Sequence, residues 1–116
     1  QAFSPAITLS GAELPEGRTL FVNVTVERRA LVRGASNTVD LVYTLRSKGK
    51  DRAYTAYPMN DIRLDDDRTW RTWKHGFVIP PAQQGEELVV YFWQHGSGTV
   101  LIRGAHIKVS AVRDRR

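Results

Sequence analysis

The stretch Trp70-Arg-Thr-Trp73-Lys-His-Gly-Phe77-Val-Ile-Pro80, with Glu87-Leu-Val-Val-Tyr-Phe-Trp93, Val100-Leu-Ile102 and Ala105-His-Ile-Lys-Val109 after it, decides the fold. Its runs of β-branched and aromatic residues are cut by Pro80-Pro81, Gln84-Gly85, His95-Gly-Ser-Gly98 and Gly104. Short apolar runs punctuated by turn residues at about ten-residue spacing are the pattern of an antiparallel sandwich or barrel.

Reading outward, Ala6-Ile-Thr-Leu9 is a first short strand, followed by a turn through Gly11, Pro15 and Glu16-Gly17. Thr19 to Glu27 alternates most clearly, with Leu20, Val22, Val24 and Val26 on one face. Arg33-Gly-Ala-Ser-Asn37 reads as a loop. Val39, Leu41, Tyr43 and Leu45 then point inward, with Asp40, Thr44 and Arg46 outward. Lys48-Gly-Lys-Asp51 is a tight hairpin turn, and Arg52 to Tyr57 is its return strand. Pro58 to Arg68 lacks alternation. The strands Thr72–Ile79, Glu87–His95, Thr99–Arg103 and Ala105–Val112 complete a set of about eight, with no helix. The expected fold is therefore all-β, a two-sheet antiparallel β-sandwich of jelly-roll type, with an up-and-down barrel as the alternative.

At 116 residues the chain is read as one domain, with residues 113–116 as a tail. Its 41% hydrophobic and 25% charged content is that of an ordinary globular protein. No apolar run approaches the ~18 residues that span a bilayer as a helix. The chain begins at Gln1, which is read as a processed protein or, preferably, a piece of a larger one. The absence of cysteine excludes disulfides, thiolate catalysis and cysteine-held metals. Of the net +5, three positive charges are Arg113, Arg115 and Arg116 in the tail, so charge argues only weakly for nucleic acid. No nucleic-acid partner is expected.

From Trp73 onward the order of parts resembles the C-terminal half of the galactose-binding-like jelly rolls, the architecture of many carbohydrate-binding modules. The resemblance lies in a Trp-led strand ending in an apolar-Pro step (Trp73 to Pro80) and a strand reading Val89-Val-Tyr91-Phe-Trp93. A polar turn from His95 to Gly98 and a closing Ile-Lys-Val run complete it. About forty residues are covered. Where such domains commonly carry Asp-Asp, this chain has Ala105-His106, which puts their structural calcium in doubt. The resemblance implies an extracytoplasmic, non-catalytic module appended to a larger bacterial protein that acts on sugars or envelope material.

Sugar rings present a face of C–H groups that stacks on aromatic rings, while their hydroxyls need polar partners. The residues that would supply both are Trp93, Tyr91 and Trp70 for stacking, with Arg52, His95 and Tyr54 for orientation. Tyr91, Trp93 and His95 share a face by alternation, as do Arg52, Tyr54 and Ala56. The competing reading is core packing, which is the expectation for Trp73 and Phe77. Asp65-Asp66-Asp67, near Asn60 and Asp61, lacks the Gly and distal Glu of a calcium loop and reads as a solvated turn, with Asp67 capping a short helical turn. His75, His95 and His106 match no zinc spacing. No nucleophile elbow, opposed carboxylate pair or phosphate-cradling loop is present. No enzyme activity, cofactor or metal is expected. The expectation is a carbohydrate-binding accessory module. The alternative is a structural or protein-docking sandwich of an envelope enzyme, binding no sugar but contacting other domains of the parent protein.

Overall fold

A computed structural model describes residues 2–3, 6–30, 39–59, 69–96 and 100–112. The expected loop at Arg33–Asn37, the acidic run with its cap at Asp67, the second half of the His95–Gly98 turn and the tail lie outside these residues. The strands are β1 (Ala2–Phe3), β2 (Ile7–Leu9), β3 (Leu20–Ala30), β4 (Val39–Ser47), β5 (Lys50–Pro58), β6 (Arg71–Ile79), β7 (Glu87–Gln94) and β8 (Val100–Ala111), with one 3-10 turn at Gly11–Glu13. No helix among the described residues is long and apolar enough to cross a membrane.

Two antiparallel sheets form. The larger runs β7–β4–β5, with β1 and β2 sharing the free edge of β7, and the smaller runs β6–β3–β8. The chain passes between sheets after β2, β3, β5, β6 and β7, and only β4–β5 is a hairpin between sequence neighbours. A barrel of the up-and-down kind pairs each strand with its neighbour in sequence, so the pairing of β7 with β4 and of β3 with β8 excludes it. The protein is a β-sandwich.

The alternation read from the sequence is what closes the two layers. Leu20, Val22, Val24 and Val26 of β3 meet Val39, Leu41, Tyr43 and Leu45 of β4, with Leu88, Val90 and Phe92 of β7 and Phe77 and Ile79 of β6, in one core. Aromatic rings bridge the layers: Tyr43 and Phe77 stack at 4.9 Å, and Trp73 meets Phe92 edge-on at 6.4 Å. Trp73 and Phe77 thus serve packing, as expected. Leu14, Met59 and Ala82, from the connecting segments, are buried and plug the ends of the sandwich.

Besides β1, a short strand that the sequence reading does not include, two details differ from it. Gly104 does not separate two strands. It sits at φ +64° inside the continuous β8, where the pairing with β3 shifts between Thr25 and Glu27. A left-handed residue in an antiparallel strand absorbs one extra residue as a bulge, and glycine does so without strain. The second is another shift, between Leu45 and Arg46 on β4, which leaves Arg52 as the extra residue of β5. The hairpin forms where it is read but its turn is shorter: Lys48 at φ 52° and Gly49 at φ 78° form a two-residue turn with left-handed backbone at both positions, and Lys50 and Asp51 already belong to β5.

Candidate functional site

The outer face of the larger sheet is built by the residues that alternate with its core positions. On β7 these are Val89, Tyr91 and Trp93, with His95 continuing the same side. On β4, Asp40 lies opposite Trp93, Val42 opposite Tyr91 and Thr44 opposite Val89. On β5, Ala56 lies opposite Val42 and Tyr54 opposite Thr44. Solvent-side residues of a single sheet are ordinarily wet, yet Val42 is 0%, Thr44 1% and Val89 6% exposed.

Two tyrosines flank these covered positions. Tyr54 stands near enough to Tyr91 to act on its phenol electrostatically. They stand on strands separated by β4, roughly 9.6 Å apart at the usual strand spacing. Tyr91 is paired with Val42 and Tyr54 with Thr44, so the two tyrosines flank the covered positions of β4 from either side. Burial, and next the proximity of Tyr54, push the Tyr91 phenol above its ordinary pKa. Tyr54 remains 55% exposed, the most exposed large hydrophobic side chain among the described residues. The two tyrosines, on one face of the sheet to either side of β4, form a short aromatic pavement.

Beside this pavement, Trp93 and His95 stack with centroids 4.2 Å apart and planes inclined by 29°. Residues two apart on a strand share a face, so this pair follows from the β conformation itself. His95 Nε2 lies 3.2 Å from Asp40 Oδ1, an ion pair whenever the imidazole is protonated. Both rings are half-buried. Asp40 could not be nominated from sequence, because only the β4–β7 register brings it opposite Trp93.

Of the six residues expected to form a ligand site, four thus meet on one face: Tyr54, Tyr91, Trp93 and His95. The other two are placed elsewhere. Arg52, displaced by the β5 bulge, donates from Nε to Glu86 Oε2 at 2.6 Å and from Nη2 to Glu86 Oε1 at 2.7 Å, and also to the Pro81 carbonyl at 2.8 Å. This fork-to-fork pair uses the guanidinium to neutralise a buried carboxylate. The hydrogen bonds from Arg52, reinforced by the Gln83 amide, hold the Glu86 carboxyl below its usual range. Trp70 belongs to the opposite sheet. The Arg103 guanidinium covers its ring at 3.8 Å, and Arg103 Nε also donates to Glu27 Oε1 at 3.0 Å. Trp70 therefore shares no surface with Trp93.

The three histidines are dispersed as well. His75 faces the core from β6, against Tyr57 at 4.5 Å and Trp73 at 5.5 Å. His95 is on the outer face of the larger sheet, and His106 on that of the smaller one. No group of three His, Asp or Glu capable of holding a metal ion occurs among the described residues.

No family model matches the chain, and no curated protein matches it significantly.

Proposed function

We propose that the protein is a carbohydrate-recognition module, an accessory part of a larger extracytoplasmic bacterial protein. The observation that carries this reading is the run of rings on one outer face: Tyr54 and Tyr91 to either side of β4, and beside them the Trp93–His95 stack. Rings fixed by strand pairing offer flat apolar area with little entropy left to lose on binding, which suits the C–H face of a pyranose. The Asp40 carboxylate and the His95 imidazole stand at one end of the pavement, where they can take hydrogen bonds from, or give them to, sugar hydroxyls. The resemblance of the Trp73–Pro80 and Val89–Trp93 segments to galactose-binding-like jelly rolls supports the same reading. Stacking rings beside a polar His95–Asp40 pair suit recognition of a ligand that is apolar on one face and hydroxylated at its edge.

A glycan array, followed by titration with cell-wall polysaccharides, tests this. Trp93→Ala and Tyr54→Ala should each weaken binding about tenfold, the equivalent of one lost stacking contact of ~1–1.5 kcal/mol. Trp70→Ala, on the other sheet, should change nothing. Absence of any glycan ligand at millimolar concentration would remove the proposal and leave the docking-domain reading. So would binding that survives both substitutions.

A further inference from the structure

We propose that the outer face of the smaller sheet is a second binding surface, and that its partner is an anionic polysaccharide. Alternation places Phe21, Asn23, Thr25, Glu27 and Arg29 of β3 on this face, and the pairing adds Thr72 and Lys74 of β6 with Arg103, His106 and Lys108 of β8. Its one acid among the described residues, Glu27, is already paired with Arg103. Lys74, His106 and Lys108 are exposed and have no acidic partner among the described residues. Counting Arg29, Lys74, Arg103 and Lys108 against Glu27, the face carries a net of three positive charges. The outer face of the larger sheet is the reverse, with Asp40, Asp51 and Glu87 against Arg46. Among the described residues the two outer faces are thus opposite in sign. A one-signed surface attracts and retains polymers of the opposite sign.

The layout fits an extended chain. His106 and Lys108 are two apart on β8, about 6.7 Å along the strand. Lys74 lies level with His106 across β3, about 9.6 Å away, with Thr25 between them. Asn23, Thr25 and Thr72 intersperse neutral hydrogen-bonding groups among the cations, as a polymer bearing both carboxylates and hydroxyls requires. Single-stranded nucleic acid, the other common polyanion, needs open rings on which bases stack. Here a face of Trp70 is capped by Arg103, and Phe21 lies against Gly76, its Cζ only 2.5 Å from where a Cβ would stand. The face supplies charge and hydroxyl partners without a row of free rings, which favours the saccharide. This inference is independent of sugar binding on the opposite face.

The test titrates the intact protein with polygalacturonate, neutral dextran and a mixed-sequence single-stranded oligonucleotide at low and high salt. Polygalacturonate should bind at low salt, weaken as salt is raised, and bind about tenfold or more weakly to the double variant Lys74→Glu/Lys108→Glu. The milder Lys74→Gln/Lys108→Gln variant should fall between, and Tyr54→Ala should bind like the native protein. Both lysines are exposed, so thermal melting should be unchanged and a loss would report on binding. The proposal is overturned if polygalacturonate does not bind, if dextran binds as well, if the oligonucleotide binds more tightly, or if charge reversal has no effect.

Discussion

At the scale of single residues, a buried carboxylate and a half-buried imidazole set how the fold responds to acid. Glu86 is 5% exposed and is held ionised by Arg52 and the Gln83 amide. Its folded pKa lies below its ordinary 4.5, so the unfolded chain takes up the proton first. The stability it contributes is therefore complete above about pH 4.5 and fades as the pH falls through the depressed folded value. Removing one member of a fully buried pair costs ~3–5 kcal/mol, but the Arg52 side chain is 34% exposed and can rehydrate. Glu86→Gln should cost about 1–2 kcal/mol at neutral pH and flatten the acid limb of a urea-midpoint profile. An unchanged limb would mean that the pair does not control acid unfolding. His75 acts in a different window. Burial among Trp73, Tyr57 and Phe77 lowers its pKa from 6.5. The folded state resists its proton while the unfolded state accepts it, so stability is full above about pH 6.5 and declines below. The decline is bounded by ~1.4 kcal/mol per pH unit for one proton. His75→Phe, which keeps a ring in the stack, should abolish that decline, as urea titrations at pH 7.5 and 5.5 would reveal.

At the scale of elements, the two bulges explain both what alternation revealed and what it missed. Gly104 occupies left-handed backbone with open space around its missing Cβ, where the nearest atom is Glu27 Oε1 at 4.0 Å. Substitution there meets strain alone and no clash. Gly104→Asn should cost about 1 kcal/mol and Gly104→Val about 2–3 kcal/mol in chemical denaturation. Equal costs would indicate that the bulge relaxes. In sequence, a glycine between two apolar runs signals a break and a bulge alike, and only the pairing with β3 distinguishes them. The β5 bulge gave no signal at all, since Asp51-Arg52 contains neither glycine nor proline. Strict period-two counting consequently put Arg52 beside Tyr54, whereas the extra residue redirects it to Glu86. In β3 the Leu20–Val26 alternation corresponds to buried positions one for one, while in β4 the inward Val39, Leu41, Tyr43 and Leu45 are buried as read but Val42 and the outward-read Thr44 are buried too.

At the scale of the whole molecule, what a single chain encodes is inside versus outside, and a sandwich has two outsides. Period-two patterning placed Tyr91, Trp93 and His95 together because they share one strand. It could not place Trp70, since sheet membership is fixed by strand pairings remote in sequence. The same limit hid Asp40, brought to Trp93 by the β4–β7 register, and hid the division of charge between the two faces. One further tie joins the layers where β7 ends and β8 begins. The Gln94 side chain donates from Nε2 to the Val100 carbonyl at 2.6 Å and accepts from the Val100 amide at 2.8 Å. A side-chain amide there stands in for a missing neighbouring strand. In deuterium exchange the Val100 N–H should therefore persist until the whole domain opens, although it is the first amide of its strand. Gln94→Ala should turn it into a fast-exchanging end, fraying that corner of the sandwich while leaving the centre of β8 as slow as before.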